Sequence, residues 1–348
     1  RLYCVSARDY ALVFELAAGG GMSRQRVGEI GGQPVEAVTL TGASGMRAKI
    51  LSFGATLADL SLETAQGPQS VVLGHAALSG YADNPAYLGV TAGRYANRIA
   101  NGRFSLDGAR IEVDRNERAR QHLHGGAPGI SHRHWQIIAQ TDTMVSLQLA
   151  SPAGDNGYPG NAVITCIYAV LEPGTLAVTY SALCDAVTVM NLAHHSYFTL
   201  APGSDIRDHQ MQIEADFYTP VDADLIPTGE IRQVAGTPFD FRELRTLHQP
   251  PTTPYDINFV LRKPLGVFGP CVTLVGPDGK LRLTVATDAP GVQVYDGYGL
   301  GAPHGAYAGI ALEPQFFPDS PNQPHFPSAR LAPGAVYRQR TEYRFTVG

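Results

Sequence analysis

From residue 35 onward, short segments rich in Val, Ile, Leu and Thr recur between clusters of Gly, Pro, Asp and Asn, the pattern of strands separated by turns. Apolar residues at helical spacing are hard to find. The stretch "RFSLDGARIEV" (103 to 113) sets Asp107-Gly108 between two alternating runs and predicts a hairpin. "VITCIYAVLEPGTLAVTYSAL" (163 to 183) reads as two strands joined at Glu172-Pro173-Gly174, and "CVTLVGPDGKLRLTVATD" (271 to 288) repeats the plan at Gly276 to Lys280. Further strands are predicted near 46 to 62, 134 to 149, 187 to 198, 209 to 215, 291 to 296, 308 to 313 and 336 to 346. So many antiparallel strands must cover their edges, so the fold class is all-β, as stacked sheets or a barrel.

Composition agrees with that reading and narrows the function. The 348 residues include 38 Gly and 25 Pro, and only 16% are charged, which suits many turns and long ordered loops. A net charge of -5 without a basic run argues against nucleic acid and anionic membranes as partners, and no apolar run is long enough to span a bilayer. Cys4, Cys166, Cys184 and Cys271 lie far apart with no CxxC pair, so they are expected to be reduced and buried. Residues 1 to 21 make a poor signal peptide, because Asp9 and Glu15 interrupt the apolar part. They read as an extension, non-native in character, ahead of Met22, with residues 22 to 348 as one domain. The absence of a leader points to the cytoplasm, or to the periplasm if one was removed. The expected assembly is a monomer or homodimer.

Several polar residues do not fit a core. In "NLAHHSYFTL" (191 to 200), strand alternation sends His194 and His195 to opposite sides without saying which one meets a ligand. In "QHLHGG" (121 to 126), His122 and His124 share a face if the segment is a strand, and Gly125-Gly126 permits close backbone approach. That spacing also suits zinc, but no HExxH or CxxC signal supports a metal, and hydrogen bonding is the preferred reading. In "AGIALEPQFF" (308 to 317), Glu313 lies on a face cleared by Gly309 and Ala311, opposite Ile310 and Leu312, and a carboxylate there is costly to bury unless something uses it. Gln293 and Tyr295 repeat the scheme in "GVQVYDGYG". Arg94, Asn97 and Arg98 in "GRYANRIANG" form either an exposed basic turn or a hydroxyl-binding group. Asp256 in "TPYDINFVL" reads locally as a turn-capping residue, and Trp135 as core. The Pro-rich loop 314 to 334 carries Phe316, Phe317 and Phe326, which argue for order.

Nine stretches in order, "GRYANRIANGRFSLDG", "HLHGG", "DNGYPGN", "HHSYFTL", "TPVDADLIPTGEI", "PFDFR", "YDINFVL", "GVQVYDG" and "EPQFFPDSPNQPHFP", resemble the galactose mutarotase (aldose 1-epimerase) family from about residue 30 to the end. The resemblance implies a large antiparallel β-sandwich, few short helices, and a monosaccharide site on a concave face without metal or cofactor. Carried over by position, it makes Glu313 the catalytic base and His195 the general acid, with His194 turned to the other side of the sheet. It places His124, Asp256, Asn97, Arg98 and Gln293 against the sugar, and gives Arg94 no ligand role. Two departures, Pro314 after the glutamate and Thr199 in "YFTL", are expected to touch the rim and affect sugar preference.

The implied chemistry is anomer interconversion: a proton leaves the C1 hydroxyl, another reaches the ring oxygen, the ring opens to the aldehyde, and it recloses after rotation about C1-C2. Each positioned proton transfer contributes about 10²- to 10⁴-fold. A carboxylate near pKa 4.3 needs burial to become an adequate base, while an imidazole near about 6.5 needs little tuning to donate. Two alternatives accompany this reading. A hexose-6-phosphate 1-epimerase would add a cationic phosphate clamp, and a non-catalytic sugar-binding or sensor protein would bind without turnover.

Overall fold

The computed structural model describes residues 24 to 248 and 254 to 348, so the proposed extension at residues 1 to 21 and Cys4 lie outside the described residues. The hairpins form where Gly, Asp and Pro punctuate alternating sequence. Arg103–Leu106 pairs with Ala109–Glu112 across Asp107-Gly108, and Asp107 adopts φ 50, the left-handed conformation that this turn demands. Ala162–Leu171 pairs with Thr175–Cys184, and Gly269–Val275 with Leu281–Thr287, as expected from their turn residues.

The first hairpin stands as a two-stranded sheet of its own, and the other two belong to a nine-stranded antiparallel sheet. Its order runs Gln136–Gln140, Met144–Ser151, Ala162–Leu171, Thr175–Cys184, Tyr337–Val347, Leu281–Thr287, Gly269–Val275, Gln210–Ile213 and Arg245–Thr246. The C-terminal strand therefore lies in the middle, hydrogen-bonded to Thr175–Cys184 on one side and Leu281–Thr287 on the other. A six-stranded sheet orders Tyr197–Phe198, Ile310–Gln315, Gly291–Tyr295, Asp256–Leu261, Ala215–Thr219 and Arg232–Gln233, and a five-stranded meander covers residues 24 to 70. The six-stranded sheet packs on the nine-stranded one. Phe198 lies 4.8 Å from Tyr343 between ring centroids, Gln339 Nε2 donates to the Pro314 carbonyl at 2.6 Å, and Ile310, Leu312, Val292 and Val294 join one core with residues from Val38 to Phe345.

The alternation around Glu313 follows the expected faces: Ile310 and Leu312 enter this core, and Ala311 and Glu313 point away from it toward the site. Trp135 is core, its Nε1 donating to the Ile130 carbonyl at 2.9 Å. Cys166 and Cys271 are buried with thiols pushed up to about 12 by desolvation, whereas Cys184, expected to be buried, is only half-buried. No helix among the described residues is long and apolar enough to cross a membrane.

The segment 187 to 198 departs from expectation. Instead of one strand it forms three two-residue pieces, Thr188–Val189, Ala193–His194 and Tyr197–Phe198, which pair with residues 330–331, 91–92 and 310–311 respectively. His195 and Ser196 fall in the gap between the last two pieces. Alternation is a property of continuous pleats, so it could not decide between the histidines here.

Candidate active site

The gap settles their directions. His194 enters the core, its ring 5.7 Å from Tyr168 and 5.5 Å from Tyr343, with Nδ1 3.2 Å from the Tyr168 hydroxyl; burial pushes its pKa down to about 3. His195 faces a cavity of about 340 Å³, where its Nε2 lies 3.6 Å from Glu313 Oε2. The same cavity is lined by Asn97, Arg98, His124 and Asp256, with Tyr87, Tyr197, Tyr295 and Tyr298 as aromatic walls.

Close contact between two distant segments creates the left side of this site. Gly125 passes so near Gly93 that an added Cβ would fall 1.7 Å from the Gly93 carbonyl oxygen. Asn97 (φ 62) and His124 (φ 48) then lock together: the His124 amide donates to the Asn97 carbonyl, and the Asn97 amide donates to His124 Nδ1, both at 3.1 Å. Because His124 leaves the extended conformation, it does not share a face with His122, as a strand reading predicted. His122 turns away to the Asp114 carbonyl and the Tyr158 hydroxyl, with Nδ1 2.6 Å and Nε2 2.5 Å from them.

An imidazole accepting at Nδ1 carries its proton on Nε2, so His124 meets the cavity as an N–H donor. Burial, then the charges of His195 and Arg98, hold its pKa well below the ordinary range and keep it neutral. His124, His195 and Glu313 offer donor atoms within 4.8 Å of one another, a set that resembles a divalent-metal triad. It does not fit one. A ligating imidazole presents a lone pair and donates its other N–H to an acceptor, but Nδ1 of His124 faces a donor, the Asn97 amide.

Arg98 is held by Glu117 through two parallel bonds, Nε to Oε2 and Nη2 to Oε1, each 2.8 Å, while Nη1 lies 3.8 Å from Asp256 Oδ2. Asp256 opens the strand Asp256–Leu261 and accepts from Gln293 Nε2 at 2.6 Å. Burial raises the Asp256 pKa, against Arg98 and Gln293, which lower it. Gln293 stands opposite Glu313 in the sheet but does not line the cavity; its placement is behind Asp256. Arg94 is buried, donating to Ser151 Oγ and to the carbonyls of Ser151, Pro152, Pro159 and Gly160, so it is neither an exposed turn nor a ligand group. Pro314 and Thr199, expected at the rim, are both buried and absent from the lining. The aromatic loop is ordered: Phe317 and Phe326 stack edge to face at 5.2 Å, Tyr95 donates to the Phe317 carbonyl, and the Asp319 amide donates to the Arg98 carbonyl.

Glu313 is fully enclosed, and burial followed by the nearby Asp256 charge raises its pKa well above the carboxylate range. Burial pushes His195 down to about 4, so near neutral pH it is a neutral imidazole, contrary to the expectation that it needed little tuning. A buried acid and a buried imidazole thus face one cavity beside a fixed N–H donor, an arrangement whose chemistry suits proton transfer. The family model for aldose 1-epimerase matches residues 36–344. The chain belongs to the aldose 1-epimerase family. The family's relatives include the aldose 1-epimerase of Escherichia coli, 38% identical over 333 residues, with 90% of this chain and 96% of that protein covered. The galactose mutarotase of Bos taurus is 39% identical over 320 residues, covering 87% and 92%. Among solved structures, the GalM/aldose epimerase homologue from C. elegans superposes with a TM-score of 0.85 at 30% identity, covering 89% of this chain and 98% of that one. The galactose 1-epimerase of Lactobacillus acidophilus gives 0.83 at 27% identity, covering 94% and 99%.

Glu117 and the walls formed by Tyr87, Tyr197 and Tyr298 are the parts that sequence reasoning did not find, whereas Tyr295 was placed on the right face. Glu117 sits in a loop, "NER", without periodicity, and only the fold brings it to Arg98.

Proposed function

We propose that the protein is an aldose 1-epimerase that interconverts the α and β anomers of free aldoses such as galactose and glucose, with Glu313 as base and His195 as acid. The observation that carries this reading is the 3.6 Å separation of His195 Nε2 and Glu313 Oε2 on the wall of the cavity. In the productive state Glu313 is a carboxylate and His195 an imidazolium. Glu313 accepts the C1 hydroxyl proton as the C1–O5 bond breaks, and His195 gives its proton to O5, which becomes the C5 hydroxyl. The open chain is then flanked by a neutral acid and a neutral imidazole.

Burial favours that second pattern of charge: it raises Glu313 and lowers His195. Both shifts therefore pull the protons in the direction of ring opening. His124 supports the charge developing on oxygen through its Nε2–H, and Arg98 with Asp256 orients the hydroxyls. No step calls for a cofactor. The lining cations are Arg98 and Arg118, and Arg98 is already engaged by Glu117, so a free sugar suits the cavity better than a sugar phosphate.

The test is polarimetry or NMR exchange on freshly dissolved α-D-galactose and α-D-glucose. Glu313→Gln is expected to lower kcat by at least about 10²-fold, with galactose binding retained in calorimetry. Equal acceleration by wild type and variant overturns the assignment of the base. Binding without any acceleration by wild type favours the sensor reading.

A further inference from the structure

On the mutarotase reading, we propose that Asp296 is a positioning residue that clamps the sugar-holding end of the six-stranded sheet and makes sugar affinity depend on its ionisation. The strands Asp256–Leu261 and Gly291–Tyr295 pair so that Asp256 stands opposite Tyr295, both lining the cavity. Just beyond that pair the ladder ends, and the chain turns into the rim segment 297 to 301. The Asp296 carboxylate stitches the two chains together there. Its Oδ2 accepts the amide of Tyr255, the residue before Asp256, at 3.0 Å. Its Oδ1 accepts the amide of Tyr298 at 3.1 Å, closing an Asx turn that aims the Tyr298 ring at the site. The Asp296 amide itself donates to the Tyr255 carbonyl at 3.0 Å.

The rim has little freedom to compensate. Gly297 sits at φ 72, and a Cβ there would fall 2.5 Å from the Gly309 carbonyl oxygen; the Gly299 amide donates to the Tyr295 hydroxyl at 2.8 Å, and Leu300 and Tyr307 amides both donate to the Gly297 carbonyl. Asp296 thus joins Asp256, Tyr295 and Tyr298 through backbone bonds while touching no substrate.

A carboxylate accepts both amide protons, whereas the protonated acid directs an O–H toward one of the two donors and loses that bond. Burial, with Asp256 adding repulsion and Arg207 opposing it, pushes the Asp296 pKa up to about 6. The groups around it are Tyr255 and Asp256 on the neighbouring strand, Tyr295 and Tyr298 on its own segment, and Arg207 from the turn at residues 206 to 208, which is itself paired with Asp205. The clamp is therefore made above pH 6 and released as pH falls below it.

The experiment compares wild type and Asp296→Asn in steady-state galactose mutarotation at pH 7.5 and pH 5. Asn keeps one acceptor and places a carboxamide NH2, a donor, against the other backbone N–H. The expected result at pH 7.5 is a rise of about tenfold in KM with little change in kcat. At pH 5 the ratio of the two KM values should shrink toward one, because the wild-type clamp is then released as well. An unchanged KM at pH 7.5, or a ratio that is the same at both pH values, overturns the proposal, since a purely structural defect would not follow this titration. If the variant does not fold, the ¹³C titration of the Asp296 carboxyl in wild type decides. Its midpoint should move to lower pH with saturating galactose, and an unmoved midpoint overturns the clamp. A wild type that binds galactose without accelerating anomer exchange sinks the mutarotase reading alone, because galactose affinity at the two pH values still tests Asp296.

Discussion

Arg98 carries a buried positive charge that two carboxylates share, Glu117 through a bidentate contact and Asp256 through a looser one. Removing Glu117 would leave the guanidinium without its main partner in a water-poor cleft. Glu117→Ala is expected to cost about 3 to 5 kcal/mol of stability, read from urea unfolding, and to raise the KM for galactose as Arg98 loses its orientation. The proton-transfer pair makes a second prediction at this scale. Activity requires one proton on the Glu313/His195 pair, so kcat/KM should be bell-shaped in pH. The acid limb should fall near about 4, where the second proton reaches His195, and the alkaline limb where the raised Glu313 finally ionises and the pair holds none. A limb displaced to about 6.5 would mean that His195 is not desolvated as described. Among the site residues, Glu313 was legible because its strand alternates cleanly. Local chemistry left Asn97, Arg98, His124 and Asp256 open between structural and binding roles, and the family resemblance chose binding.

At the level of elements, the hairpins could be read because their turns are encoded by adjacent residues such as Asp107-Gly108 and Pro173-Gly174. The histidine-bearing segments could not. Residues 122–124 and 187–198 pair in runs of two, too short to hold a period, and their partners come from far along the chain. What fixes the first of these segments instead is the close passage of Gly125 beside Gly93. Gly125→Ala combines φ 89 with a Cβ inside the Gly93 carbonyl, and should cost more than about 1 kcal/mol. It should also break the reciprocal Asn97/His124 bonds, so that activity falls further than thermal stability alone explains. Activity lost only in proportion to the unfolded fraction would show that this crossing supports the fold but does not shape the site.

For the molecule as a whole, the all-β class was legible from Gly, Pro and alternation, and the sandwich from the family resemblance, because both are distributed over the entire chain. Long-range partnerships such as Glu117 with Arg98, or Asp296 with Tyr255, have no such distributed signal. The position of Tyr337–Val347 between Thr175–Cys184 and Leu281–Thr287 makes the last strand part of the centre of the largest sheet. A chain ending at residue 336 is expected to show no cooperative thermal transition and no mutarotation, and a cooperative melt from that truncation would contradict the importance assigned to the strand. Synthesis proceeds from the other end. A ribosome must therefore deliver the chain through Val347 before the two halves of this sheet can be zipped together, and until then the earlier strands wait with bare edges open to a chaperone.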